Sequence, residues 1–164
     1  GDVYKRQVGE GLLVGSSADA MFLVHSETVP STFVPTRPFR VNAGSPHAYV
    51  MMADGNTRYM AELTAGDELL AVDQEGNGRS VVLGRLKIEQ RPMLKIVGKK
   101  HTKTHQNANT CHVFMQQAET VRLITGDSTA VSVTALEKGQ PVLGWEGHAA
   151  RHVGRPVKGG VEER

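Results

Sequence analysis

A chain of 164 residues, 39% hydrophobic and 22% charged, is long enough to bury one real core and has the balance of a water-soluble globular domain. Its formal charge of +2 and 5% aromatic content argue against a nucleic-acid partner, which needs a broad basic surface and stacking platforms. No apolar run approaches the roughly 20 residues of a membrane-spanning helix, and the single Cys111 excludes an internal disulfide and suits a reducing compartment.

Residues 1–7 (GDVYKRQ) carry neither an initiator methionine nor an apolar segment, so they read as a non-native lead rather than a secretory signal. The chain proper then opens mid-strand, as a fragment of something longer would. Gly9–Gly15 (GEGLLVG) predicts a short buried strand with glycine at both ends, suited to a tight turn or close approach to a cofactor. It is not the GxGxxG of a dinucleotide fold. Strands are expected at Met21–Val24, Phe39–Val41 and Ala48–Met52. Asp54-Gly55-Asn56 is a turn that joins the last of these to Arg58–Met60 in a hairpin.

From Leu63 the pattern is steadily β. Leu63–Leu70 (LTAGDELL) is echoed by Leu136–Leu143 (LEKGQPVL), 73 positions on. The echo suggests two similar small β units, with chance recurrence of a common turn pattern as the alternative. Asp73–Gly78 predicts a hairpin tip, followed by strands at Ser80–Leu83, Arg85–Glu89 and Met93–Val97. Gly98–Thr110 is polar and basic, as a loop would be. His101, His105 and His112 there lack a partnered carboxylate or a CxxC, so no metal site is expected. Strands follow at Val113–Gln117, Thr120–Ile124, Ala130–Val133 and Val142–Trp145. The segment His148–Gly154 reads as a loop, and the charged tail Lys158–Arg164 as frayed.

The stretch Phe22–Tyr49 carries most of the chemistry. His25, Ser26 and Glu27 follow an apolar run, so they sit where a buried strand emerges. Arg37 and Arg40 bracket Pro38, and Asn42-Ala43-Gly44 leads on to Pro46 and His47; proline stiffens the backbone that presents them. Such a loop can build a site for a small anionic substrate. The plainer reading makes the arginines surface ion pairs and His25 a satisfied, half-buried histidine.

The segments FLVHSET, TRPFRVNAG and HAYV resemble the second, archaeal-type form of 3-dehydroquinate synthase. So do GEGLLVG, AELTAGDELLAVD, GRLKIEQRP, QAETVRL and ARHVG, in order along the chain. The sequence departs from the family's usual pattern at Asp19, Ala20, Gln117, Val153 and the long 98–110 loop. The resemblance implies the C-terminal half of an enzyme about twice as long. It implies an NAD-dependent oxidative deamination of a seven-carbon amino keto acid, followed by ring closure to 3-dehydroquinate in aromatic amino acid synthesis.

The expected fold is mainly β: a remnant of an α/β domain over 8–60, then a small β-barrel-like domain over 61–164. On this reading His25 is the acid/base residue, since imidazole titrates near neutrality. Glu27 orients it or binds the substrate amine, and His47 and Asn42 polarise a carbonyl. Arg37 and Arg40 clamp the carboxylate with their planar forks, beside Ser26. Gly11, Gly15 and Gly44 let backbone approach the pyrophosphate of NAD. The expected partners are a small-molecule substrate, the missing N-terminal half and a second copy of the chain. The compartment is cytoplasmic, or plastid in a photosynthetic eukaryote. Two competing readings remain: a non-catalytic β module that completes a larger oxidoreductase, and a different oxidoreductase on the same scaffold.

Overall fold

The structure, a computed structural model, describes residues 10–26, 40–87, 89–100 and 110–147 in full, and the backbone alone of 156–163. These residues form twelve strands: β1 Gly11–Ser17, β2 Ala20–His25, β3 Tyr49–Met51, β4 Thr57–Tyr59, β5 Glu68–Val72, β6 Gly78–Val82, β7 Met93–Lys99, β8 Thr110–Gln116, β9 Arg122–Ile124, β10 Ala130–Ser132, β11 Pro141–Glu146 and β12 Pro156–Glu163. The helical content among them is one 3-10 turn, Met60–Glu62.

The strands join in one antiparallel sheet whose main path runs β4-β3-β1-β2-β11-β12-β7-β8 and does not close. At its centre, β1 and β2 pair as a hairpin with Leu13 opposite Leu23. Both strands are apolar at nearly every position because both faces of the hairpin are covered. Leu12, Val14, Phe22 and Val24 enter one core with Val50, Ile96, Val113 and Leu123. Leu13, Met21 and Leu23 enter a second with Val72, Ile124 and Trp145.

The echo in the sequence is a structural repeat. In β3–β4, Tyr49, Val50 and Met51 oppose Tyr59, Arg58 and Thr57. In β9–β10, Arg122, Leu123 and Ile124 oppose Ser132, Val131 and Ala130, each 73 positions further on. Both hairpin turns close alike: the Met52 N–H donates to Asn56 O and the Thr125 N–H to Thr129 O, each at 2.8 Å. Gly55 has φ 86°, and its counterpart Ser128 holds the same left-handed region at 64°. The next turns match as well. The Thr64 N–H donates to Asp67 Oδ2 and the Glu137 N–H to Gln140 Oε1, and Gly66 and Gly139 follow the same left-handed path.

The first unit docks on β1 through Val14–Val50 and Leu12–Ala71. The second docks on β2 through Val24–Leu123 and Phe22–Gly144. The contacts on β1 and β2 are offset by ten residues. A pseudo-two-fold axis therefore passes through the Leu13–Leu23 pair.

Several expectations need correction. The described residues of 10–60 supply β1–β4 of the common sheet rather than an α/β remnant, since their apolar runs pair directly with the later units. Val41 is not in a strand: 40–46 runs irregularly, and the missing side chain of Gly44 lets it approach the Phe114 carbonyl. Of the expected strand Arg85–Glu89, residues 85–87 and 89 are not in a strand, and Ile88 lies outside the described residues. Leu86 and its neighbours are largely solvated, and alternation without a pairing partner does not make a ladder. The tail is not frayed, because β12 inserts between β11 and β7. Residues 101–109 and 148–155, read as loops, lie outside the described residues.

Two glycines test this account. A Cβ at Gly144 would lie 2.3 Å from the Met21 carbonyl oxygen of the neighbouring strand, whereas one at Gly139 meets open space but keeps a φ of 83°. Gly139→Ala is expected to cost about 1 kcal/mol, the ordinary left-handed penalty. Gly144→Ala is expected to cost clearly more, as a lower urea midpoint.

Candidate functional site

The centre of the site is the C-terminal end of β2. The antiparallel pair Val24–Leu123 makes His25 and Arg122 the next residues across the β2–β9 junction, near enough for the Arg122 charge to act on the imidazole. On its other side His25 faces Gly11, which has no side chain. Arg122 in turn faces Ser132. One row across the sheet therefore reads Gly11, His25, Arg122, Ser132.

His25 is 5% exposed, and neither Nδ1 nor Nε2 makes a hydrogen bond. A buried polar group without a partner costs stability, so such groups are rare and call for a reason. Burial holds the imidazole below its ordinary pKa. The neighbouring Arg122 charge adds to this, and the Ser26 backbone opposes it weakly. Burial and the Arg122 charge therefore favour the neutral ring, and neither nitrogen has a partner in hydrogen-bond geometry among the described residues. Ser26 is buried beside it, its N–H donating to Glu10 O at 2.9 Å. Glu10 itself is clamped by the Arg79 fork at 2.6 and 2.8 Å.

Of the other predicted residues, those the structure describes stand apart from His25. Glu27 and Arg37 lie outside the described residues. Arg40 is exposed. Asn42 donates through Nδ2 to Gln116 Oε1 at 2.5 Å and accepts from the Gly44 N–H, so it fastens the 40–46 segment to β8. His47 is exposed, with its N–H on Ser45 Oγ. Of the described ones, neither Arg40, Asn42 nor His47 is hydrogen-bonded to His25. The space left by each missing glycine side chain is filled by the chain itself: Val24 O at Gly11, Ala20 O at Gly15 and Phe114 O at Gly44. At each of these glycines a side chain would strike a neighbouring backbone carbonyl, which is a packing reason for glycine there.

Sequence reading missed Arg122, although it stands inside QAETVRL. The available signal was its place between the buried Val121 and Leu123. Asp19, another departure from the family pattern, takes an ion pair from Lys100 at 3.1 Å.

A cavity of about 30 Å³ between β2, β7 and β11, lined in part by Phe22, Cys111 and Trp145, has room for one water. Burial pushes the Cys111 thiol up to about 11, which makes it a poor nucleophile. Among the described residues no three His, Cys, Asp or Glu side chains gather as metal ligands. No helix among them is long and apolar enough to cross a membrane.

The fold and site define a β domain built on a duplicated unit, with a buried, unpaired histidine beside an arginine at one end of its central hairpin. Comparison with known proteins places it further. Residues 3–164 match the family model described as 3-dehydroquinate synthase II C-terminal domain, and the chain belongs to that family. It is 45% identical over 162 residues to a 3-dehydroquinate synthase homolog of Persephonella marina, covering 99% of this chain and 46% of that protein. It is also 45% identical over 157 residues to the 3-dehydroquinate synthase of Methanosphaera stadtmanae, covering 96% of this chain and 42% of that one. Against the 3-dehydroquinate synthase of Methanocaldococcus jannaschii it is 42% identical over 158 residues, with the same coverage of 96% and 42%. The chain thus spans less than half the length of the curated relatives it matches. No solved structure matches it.

The buried histidine makes stability depend on pH. Its folded pKa is depressed, so its contribution is complete above the ordinary value of 6.5 and is lost as pH falls through the lower folded value. The melting temperature of this chain is expected to drop between pH 7 and 5. His25→Phe should remove most of that drop, with half-buried His112, whose pKa is shifted in the same direction, supplying the remainder.

Proposed function

We propose that this domain belongs to an enzyme with 3-dehydroquinate synthase activity and supplies its proton-handling residue. The enzyme would oxidatively deaminate a seven-carbon amino keto acid with NAD and then close the carbocycle, within aromatic amino acid synthesis. The observation that carries this reading is His25, a buried neutral imidazole with both nitrogens unpaired. The family membership gives that histidine a reaction to serve.

The chemistry suits a neutral imidazole. Loss of the amine requires a base for the ammonium proton, and ring closure requires a base to form an enolate and an acid for the new alkoxide. One imidazole can exchange protons in both phases, provided its pKa lies at or below neutrality. His25 meets that condition through burial and the Arg122 charge. Its backbone is fixed by pairing with β1, so the ring is presented from a rigid strand rather than a loop.

The cavity beside Trp145 is too small for a seven-carbon acid, and Gly11, Gly15 and Gly44 are packed against the chain itself. We therefore place the NAD contacts, and much of the substrate's enclosure, in the part of the full-length protein that precedes this domain. The competing view, a β module with no chemical part, is a matter for kinetics.

In a full-length family member, His25→Gln is expected to lower kcat about 10²- to 10⁴-fold, as loss of a general acid/base does. Arg40→Gln, at an exposed position, should change turnover less than threefold. Unchanged kcat in the His25 variant would assign this domain a scaffold role. Calorimetric titration of NAD should show binding to the full-length protein and none to this chain.

A further inference from the structure

The duplicated scaffold supplies an internal control for the site. The pseudo-two-fold axis maps β2 on β1 and the second unit on the first. It therefore places His25 on Gly15, Arg122 on Tyr49 and Ser132 on Tyr59. The two rows occupy equivalent places in the repeat, yet the side chains share nothing. In the first unit Gly15 leaves the row empty, and the two tyrosines stack at 4.3 Å and share a hydroxyl hydrogen bond of 2.7 Å. That arrangement satisfies itself. The matching row beside the second unit holds an imidazole and a guanidinium that are hydrogen-bonded neither to each other nor to another side chain among the described residues. Nothing in the fold asks for a histidine or an arginine there.

Arg122 is half-buried and makes no ion pair among the described residues. A guanidinium beside a buried imidazole disfavours the charged ring and finds no counter-charge there, which a purely structural role would not call for. An anion between the two would supply that counter-charge and accept from the donors of both.

We propose that Arg122, directly across the β2–β9 pair from His25, is the group that receives the carboxylate of the substrate and sets its reacting carbons against the imidazole. The planar fork of arginine matches a carboxylate with two parallel hydrogen bonds, and its half-buried position shields them from water. Neighbours across an antiparallel pair typically stand about 5 Å apart at Cβ, a spacing at which one small acid touches both side chains. Arg122 thus takes the part that sequence reading gave to Arg37 and Arg40. The assignment rests on the synthase reading above, and the experiment separates the two.

In the full-length enzyme that carries this domain, steady-state kinetics with the amino keto acid should be compared for wild type, Arg122→Gln, Arg122→Lys and Arg58→Gln. Arg58 occupies the exposed position in the first unit that matches Val131 and serves as the control. Arg122→Gln is expected to raise KM, and the inhibition constant of 3-dehydroquinate, about 10- to 100-fold while kcat changes far less. Arg122→Lys should fall between it and wild type, and Arg58→Gln should match wild type. If the glutamine variant fails to fold, the lysine variant, which keeps the charge and loses the fork, carries the same readout. Unchanged KM and product inhibition in both Arg122 variants, with kcat still lost on His25→Gln, would overturn this assignment and leave the synthase reading standing. If wild type does not turn over the amino keto acid, the synthase reading falls. Calorimetry with quinate, a ring carboxylate, then decides the site: binding by wild type that is lost in Arg122→Gln upholds it, and equal or absent binding in both overturns it.

Discussion

The pairing of β1 with β2 is the constraint on which the rest of this domain depends. Residues Gly11–Val14 and Ala20–Val24 are buried on both faces, so the hairpin has no solvent side and must be covered twice. Its two outer edges then take one β unit each. Glycine makes the close approach possible: at Gly11 and Gly144 a side chain would strike the carbonyl of the adjoining strand. A central strand pair buried on both faces is also a rigid base, and the end of β2 inherits that rigidity where His25 emerges.

The pseudo-two-fold repeat separates what the fold requires from what it merely tolerates. Positions that keep their character in both units are structural: the bridging pairs Met52–Leu69 and Thr125–Val142, the buried Val50 and Leu123, and the left-handed Gly66 and Gly139. Positions that share a backbone and differ in chemistry are free of that demand. The row Gly11–His25–Arg122–Ser132 is of the second kind. It is also where a buried imidazole lacks a hydrogen-bond partner beside an arginine, a cost that folding alone does not explain.

Local pattern made much of the sheet legible. Apolar runs located β1, β2 and β11, and Asp54-Gly55-Asn56 and Asp73–Gly78 marked two hairpin tips because their turn chemistry is written in adjacent residues. The echo of Leu63–Leu70 in Leu136–Leu143 announced the repeat, since equivalent turns need glycine at equivalent places. The errors share one cause. Arg85–Lys87 alternates as a strand does but has no partner, and the charged, glycine-broken 156–163 segment is a strand because β11 and β7 flank it. A ladder is a relation between distant segments, and neither half of it shows in one segment's composition.

The site divides in the same way. From sequence alone His25 could be named, because a histidine closing an apolar run falls at a strand end, and the motifs placed it in a family. Asn42 and His47 drew notice for the right reason, polar groups in a proline-stiffened segment, yet Asn42 is spent on Gln116 and His47 faces solvent. Arg122 lies 97 positions from His25 and carries no local mark of function. Sequence determined which elements form and which residue types are available, because periodicity and turn chemistry act over a few residues. Only the tertiary structure decided which of them meet, because the register of β2 on β9 is set by side chains packed from both ends of the chain.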